Sequence, residues 1–177
     1  MSNLPHVEEG SRGKWDWLTI TNGGSLACSG ADDWNSIGMN NTGLMVVENG
    51  GSASFGNHLW IGFDPTADGT LSMNDGTESV GQMFRLGWNG GTVTVHVNGG
   101  TLNLLQWDGA NSIKGASVLD FGLGTVVITG NQVSSVGIFI SSGKITGYGG
   151  TGIVSNFFDG VSTTDGSVPG GNVPALF

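Results

Sequence analysis

The feature that most constrains this chain is one short pattern written five times: a strand, a glycine-centred turn and a second strand. The apolar pairs before the turn are Leu18/Ile20, Met45/Val47, Leu71/Met73, Val95/Val97 and Leu119/Phe121. Their first members are 27, 26, 24 and 24 residues apart. A repeat of this length marks an architecture in which each unit buries its apolar side against the next. The residue between each pair points outward by the two-residue period of a strand: Thr19, Val46, Ser72, His96 and Asp120. The turn itself is clearest at Asn98-Gly99-Gly100. A sharp corner at a fixed place in every coil favours glycine, the residue that adopts positive φ without steric cost.

The strand after the turn also repeats. It begins at Ser25, Ser52, Thr77, Thr101 and Thr125, with inward positions at Leu26/Cys28, Ala53/Phe55, Val80, Leu102/Leu104 and Val126/Ile128. Glu78 falls at an inward position, which predicts either a local distortion there or a register error of one residue. A third strand ends in an apolar-glycine corner at Ile37-Gly38, Ile61-Gly62 and Leu86-Gly87. Three short strands per coil of about 25 residues predict an all-β fold, a right-handed parallel β-helix of about five coils stacked at about 4.8 Å. A β-sandwich is the alternative, but the pattern recurs every third strand rather than every second.

The period stops after Ile128. Asn131 is placed to cap a helix carrying Val133, Val136, Phe139 and Ile140, with Gly143 as its stop. One short helix there would cover the open edge and bare core of the last coil. The expected organisation is a lead-in over 1–14, coils over 15–128, and a capping helix with closing strands over 129–177. Trp15 and Trp17 are expected to cover the N-terminal end.

Composition narrows function by exclusion. The chain has 5 Lys and Arg against 14 Asp and Glu, a net charge of −9. Neither nucleic acid nor an anionic membrane surface is therefore an expected partner. The single cysteine, Cys28, excludes an intramolecular disulfide and a cysteine-based metal cage.

The repeat, the Ile-Gly corner, the closing helix and Gly143-Lys144-Ile145-Thr146-Gly147-Tyr148-Gly149-Gly150 resemble the secreted β-helix repeat domains of multidomain proteins from polysaccharide-degrading bacteria. The likeness runs from about Trp15 to Gly152. It implies a right-handed β-helix appended to a carbohydrate-active catalytic domain, in some cases as a carbohydrate-binding module. It implies secretion too, with the leader outside this stretch, since Met1-Ser2-Asn3-Leu4-Pro5 is polar. It carries no catalytic residue over to any position here.

Six tryptophans are the main functional signal. With Leu59 and Ile61 inward, His58 and Trp60 face out; the same parity puts Met83 and Arg85 out, and Trp34 in the preceding coil. Aligning Gln106-Trp107 with Gln82-Met83 adds Trp107. Phe63 and Trp88 flank the face just past the corner, with Asp64 and Asn89 beside them. Exposed indoles rimmed by polar groups suit the apolar face and hydroxyl rim of a sugar. The expected function is non-catalytic binding of a cell-wall polysaccharide such as xylan or cellulose. Trp34, Trp60 and Trp107 would stack on sugars, and His58, Arg85, Asp64 and Asn89 would supply polar contacts. The competing readings are a polysaccharide lyase or hydrolase fragment, and an ice-binding or adhesin solenoid suggested by the Ser/Thr row. No pair of carboxylates converges as a glycosidase needs, and no Ser–His–Asp arrangement is evident. No metal site is expected from His6, His58 and His96, and no cofactor is required. The loop carboxylates Asp32/Asp33 and Asp64/Asp68 are the candidates for calcium, as oxygen ligands.

Overall fold

The structure is a computed structural model that describes residues 14–29 and 34–170. His6, most of the lead-in, Asp32 and Asp33 lie outside the described residues. Strand β1 (Lys14–Trp15) opens the fold. The first full coil is β2 (Trp17–Ile20), β3 (Ser25–Cys28) and β4 (Trp34–Ile37); the second is β5 (Thr42–Val47), β6 (Ser52–Phe55) and β7 (His58–Ile61). In the third, β8 (Asp68–Met73) leads into one long strand, β9 (Thr77–Leu86), that covers both remaining sides. The fourth holds β10 (Thr92–Val97) and β11 (Thr101–Gln106), the fifth β12 (Val118–Phe121) and β13 (Thr125–Thr129). Helix α1 (Val133–Ser141), β14 (Ile145–Gly147), β15 (Ile153–Phe158) and β16 (Ser162–Val168) close the chain.

Every pairing from one coil to the next is parallel, and the protein is a parallel β-solenoid of about five turns. One side is the sheet β2–β5–β8–β10–β12–β14. The other two sides, β3–β6–β9–β11–β13 and β1–β4–β7–β9, join through the long β9. The third side thins out along the axis. In the fourth coil it shrinks to a single bridge between Leu86 and Ile113, and in the fifth α1 stands in its place. Residues 107–117 explain the change: two glycines, Asp108 and a 3-10 turn at Gly109–Asn111 interrupt the alternation that a strand needs. At the C-terminal end β16 turns antiparallel against β13, and β15 against β16.

The inward pairs predicted from the repeat are the core. Met45, Val47, Leu71, Met73, Val95, Val97, Leu119 and Phe121 are all buried, stacked coil on coil. Helix α1 adds Val136 and Phe139 to the end of this column. Its N-terminus is held less by Asn131 than expected. Gln132 is the N-cap, and its backbone N–H donates to Thr163 Oγ1 at 2.7 Å, while Asn131 Oδ1 accepts from Val133 N–H at 3.4 Å. Among the described residues no helix is long and apolar enough to cross a membrane.

Part of the drift in period, one residue in each of the first two coils, has a local cause at the glycine corner. Residues 21–24 and 48–51 make four-residue connections, whereas 74–76, 98–100 and 122–124 make three-residue ones. The longer form places two consecutive residues in the left-handed region, Asn22/Gly23 and Asn49/Gly50; the shorter form uses Gly76 at φ 83° and Gly100 at φ 72°. At Gly76 a Cβ would also run into the Gly51 carbonyl of the coil below. The prediction is asymmetric. Gly76→Ala should cost about 2 kcal/mol or more in thermal unfolding, and Gly50→Asn, with open space around it and a residue that tolerates this backbone, well under about 1 kcal/mol.

Glu78 requires neither a distortion nor a register error. It lies in register between Ala53 and Leu102, pointing into the core, fully buried, with neither carboxyl oxygen hydrogen-bonded. Burial pushes its pKa up from 4.5 to about 8, so the side chain is neutral at pH 7. Asp165, buried on β16 opposite Val126, is pushed the same way to about 7. The folded chain holds these protons where the unfolded chain has released them. Their contribution is therefore complete below the unfolded values, declines as pH rises, and is gone once pH passes about 8. Glu78 alone should give a loss of about 1.4 kcal/mol per pH unit between its two values. Glu78→Leu should flatten that slope and raise the melting temperature at pH 8; an unchanged pH profile would contradict this placement.

Candidate functional site

The third side of the solenoid places the predicted face. Trp34 pairs with His58, Ser36 with Trp60, and Trp60 with Arg85 on successive strands β4, β7 and β9. Parallel pairing in register stacks like positions directly above one another, so these side chains share the outer surface. Past the glycine corner, Met39, Phe63 and Trp88 come in successive coils; Asn89 N–H donates to the Phe63 carbonyl and Asp64 N–H to the Met39 carbonyl.

The aromatics form a stack rather than an open row. Trp60 faces outward from the sheet as predicted, yet it is only 5% exposed. Phe63 lies against it at 4.6 Å and 20°, Trp34 at 4.7 Å and 31°, and Trp88 at 5.7 Å and 50°. Four large rings on adjacent rungs cover one another because each gains more from ring contact than from water. Trp34, 42% exposed, is the outer ring of the stack. Beneath it a narrow cleft of about 10 Å³ is lined by Trp34, Asn35, Ser36, Met39, Trp60 and Phe63. Ser36 Oγ and Trp60 Nε1 are buried and make no hydrogen bond. Buried polar atoms without partners are uncommon in folded proteins.

Cations hold the far end of the stack. The Arg85 guanidinium lies 3.9 Å from the Trp88 ring centre and 5.3 Å from that of Trp60. Its Nε donates to Asp108 Oδ2 at 2.9 Å, and Nη2 contacts the same oxygen. Arg85 is thus engaged by Asp108 and positions Trp88. Lys114 Nζ is 4.1 Å from the same Trp88 ring. His58 accepts a hydrogen bond from Met83 N–H through Nδ1, and partial burial, with the nearby Arg85 charge adding to it, holds its pKa below the ordinary value.

Trp107 does not belong to this face. Strand β9 keeps step with β6 and β7, but β11 is one residue short of it at this corner: Leu104 pairs with Val80 and Gln106 with Met83. This slip shifts the register by one beyond Leu104, because a residue missing from one strand reverses the parity of every later residue on it. Trp107 therefore packs against the core and meets Phe139 of α1 edge-on at 5.7 Å. At the N-terminal end Trp15 packs edge-on against Phe55, whereas Trp17 is 76% exposed and does not act as a cover.

The other outer faces are occupied differently. Ser72, His96 and Asp120 stand on consecutive rungs of β8, β10 and β12, a column already visible in the repeat. Its hydrogen bonds run elsewhere: Ser72 Oγ pairs with Asn74 Oδ1 at 3.2 Å, and Asp120 accepts from Thr146 Oγ1 at 2.6 Å and from Gly149 N–H. His96 Nδ1 is 3.8 Å from Asp120 Oδ2. The Ser/Thr row Ser25–Ser52–Thr77–Thr101–Thr125 is in register, but its companions Ala27, Ser54, Ser79, Asn103 and Val127 are mixed in kind. Among the described residues, Asp64 and Asp68 included, no three His, Cys, Asp or Glu side chains gather as metal ligands.

The Arg85–Asp108 pair gives a stability test. Asp108→Asn leaves a guanidinium between two indoles without its counter-charge and should cost about 2 kcal/mol in chemical unfolding, with a change in tryptophan emission. A loss smaller than that of an exposed ion pair would contradict the positioning role given to Arg85.

In comparisons with known proteins, no family model matches this chain, and no curated protein or solved structure shows significant similarity to it.

Proposed function

We propose that the protein is a non-catalytic carbohydrate-binding module whose site is the aromatic corner around Trp34, Trp60, Phe63 and Trp88. The observation that carries this reading is the exposed Trp34 ring, 42% accessible, standing over a narrow cleft walled by Trp60 and Phe63. A pyranose ring suits this surface. Its C–H face would stack on the Trp34 indole, and its hydroxyls would meet the polar residues at the rim, Asn89 and Asp64. The cleft has room for one water-sized group, so the sugar ring would lie on the exposed face of Trp34 and neighbouring sugars along the open surface beside Asn89 and Asp64. The ligand is a polysaccharide, met outside the cell and held close to an appended catalytic domain.

A catalytic role is disfavoured by where hydrogen bonds are spent. The Ser72 hydroxyl and the Asp120 carboxylate are bound to neighbours that do not form a relay through His96. A nucleophile and its base need to be within hydrogen-bond reach of each other.

An affinity-gel panel over xylan, cellulose, mannan, β-glucan and pectin tests this reading. Retention without new reducing ends is the expected result. Trp34→Ala should weaken binding by about 1.4 to 3 kcal/mol, tenfold or more, and lower stability by about 1 kcal/mol through the lost stacking on Trp60, so retention is compared well below both melting temperatures. Trp17→Ala, at the most exposed indole, should change nothing. Equal retention of Trp34→Ala and the parent chain would refute the site, and release of sugar would refute the non-catalytic reading.

A further inference from the structure

The cations are placed without regard to the overall charge. The chain carries −9, yet Arg85, Lys114 and Lys144 are gathered at one corner. Arg85 and Lys114 both lie on the Trp88 ring. Lys144 Nζ donates to the Ile113 carbonyl at 3.1 Å, on the segment that presents Lys114 and that bridges to Leu86. Three positive charges meet two carboxylates here, Asp108, which is bound to Arg85, and Asp64, beyond Phe63. A local positive surplus remains in an acidic protein. Among the described residues Lys114 has no carboxylate partner, and its ammonium stays on an indole face rather than in an ion pair.

We infer that the aromatic corner takes an anionic glycan, with Lys114 receiving the acidic group of a sugar a few residues along the chain from the one stacked at Trp34. This rests on the carbohydrate-binding reading above and names its ligand class. The solenoid sets the geometry. Trp34, Phe63, Trp88 and Lys114 belong to four successive coils, so they span three rung steps, about 14 Å along the axis. That is the length of a short oligosaccharide. The two ends differ: an exposed ring at one, and a cation on a ring at the other. A neutral glycan uses only the first. A uronate or sulfated chain uses both, and Lys114 is held in place by Trp88 before the ligand arrives, which reduces the ordering cost of binding. At physiological salt the screening length is about 8 Å, so the ligand feels this corner more than the acidic remainder of the surface.

The test compares retention of the full chain on polygalacturonate, on a sulfated galactan and on neutral xylan and glucomannan. The variants are Lys114→Gln, Lys114→Arg, Trp34→Ala and, on another face, His96→Ala. The expected result is tighter retention on one or both anionic glycans than on the neutral ones, with the two anionic gels telling carboxylate from sulfate. Lys114→Gln should weaken anionic binding about tenfold and leave neutral binding unchanged, Lys114→Arg should restore it, and His96→Ala should be without effect. Raising salt to about 1 M should erase the preference for anionic glycans. Binding of neutral glycans that is as tight, and indifferent to Lys114→Gln, overturns this inference while leaving the carbohydrate-binding site intact. Absence of retention on every gel overturns both.

Discussion

The structure depends on the backbone ladder between coils. Each inward and outward side chain sits over its counterpart one coil away because parallel hydrogen bonding fixes both the spacing and the register. The apolar column inside comes from this, and so does every row outside. A ring placed outward on one rung must meet whatever the next rung places outward. Trp34 meets His58 and Trp60, and Trp60 meets Arg85 and Trp88, because of this register, across 24 to 28 residues of chain. The glycine corners keep the ladder in step, and where a strand is one residue short, as β11 is after Leu104, the row ends.

That constraint gives the aromatic corner its character. It lies outside the core and is built with core-like density. Trp60 is as buried as an interior residue, although it faces away from the interior. Rings that cover one another this way leave Trp34 as the accessible surface and trap Ser36 Oγ and Trp60 Nε1 without partners. Glu78 is the interior counterpart: a polar group that register forces inward, and that stays uncharged there. Register sets position first in both cases, and chemistry accommodates it.

The fold was largely legible in the sequence because it rests on two-residue alternation and glycine spacing, which a one-dimensional reading can count. Leu59 and Ile61 inward place His58 and Trp60 outward, and the structure agrees. Two kinds of information were not legible. Parity does not survive a one-residue slip, so the alignment of Gln106-Trp107 with Gln82-Met83 places Trp107 on a face it does not share; the signal is Leu105, which stands where the two preceding coils have Gly56 and Gly81. Outward does not mean exposed, because covering comes from neighbouring rungs and from residues past the corner. Phe63 and Trp88 were seen as flanking groups, while their stacking onto Trp60 depends on distances that spacing does not contain. The partnership of Arg85 with Asp108, 23 residues apart across an irregular segment, was likewise invisible.

The central claim is that a glycan is met at the Trp34 corner and at no other aromatic surface. The most direct measurement is a titration of the six indole N–H resonances in a proton–nitrogen correlation spectrum with xylo- and galacturono-oligosaccharides. The account predicts that Trp34, Trp60 and Trp88 shift together on one binding curve, while Trp15, Trp17 and Trp107 stay in place. Shifts led by Trp17, or six unmoved resonances in the presence of a retained glycan, would contradict it.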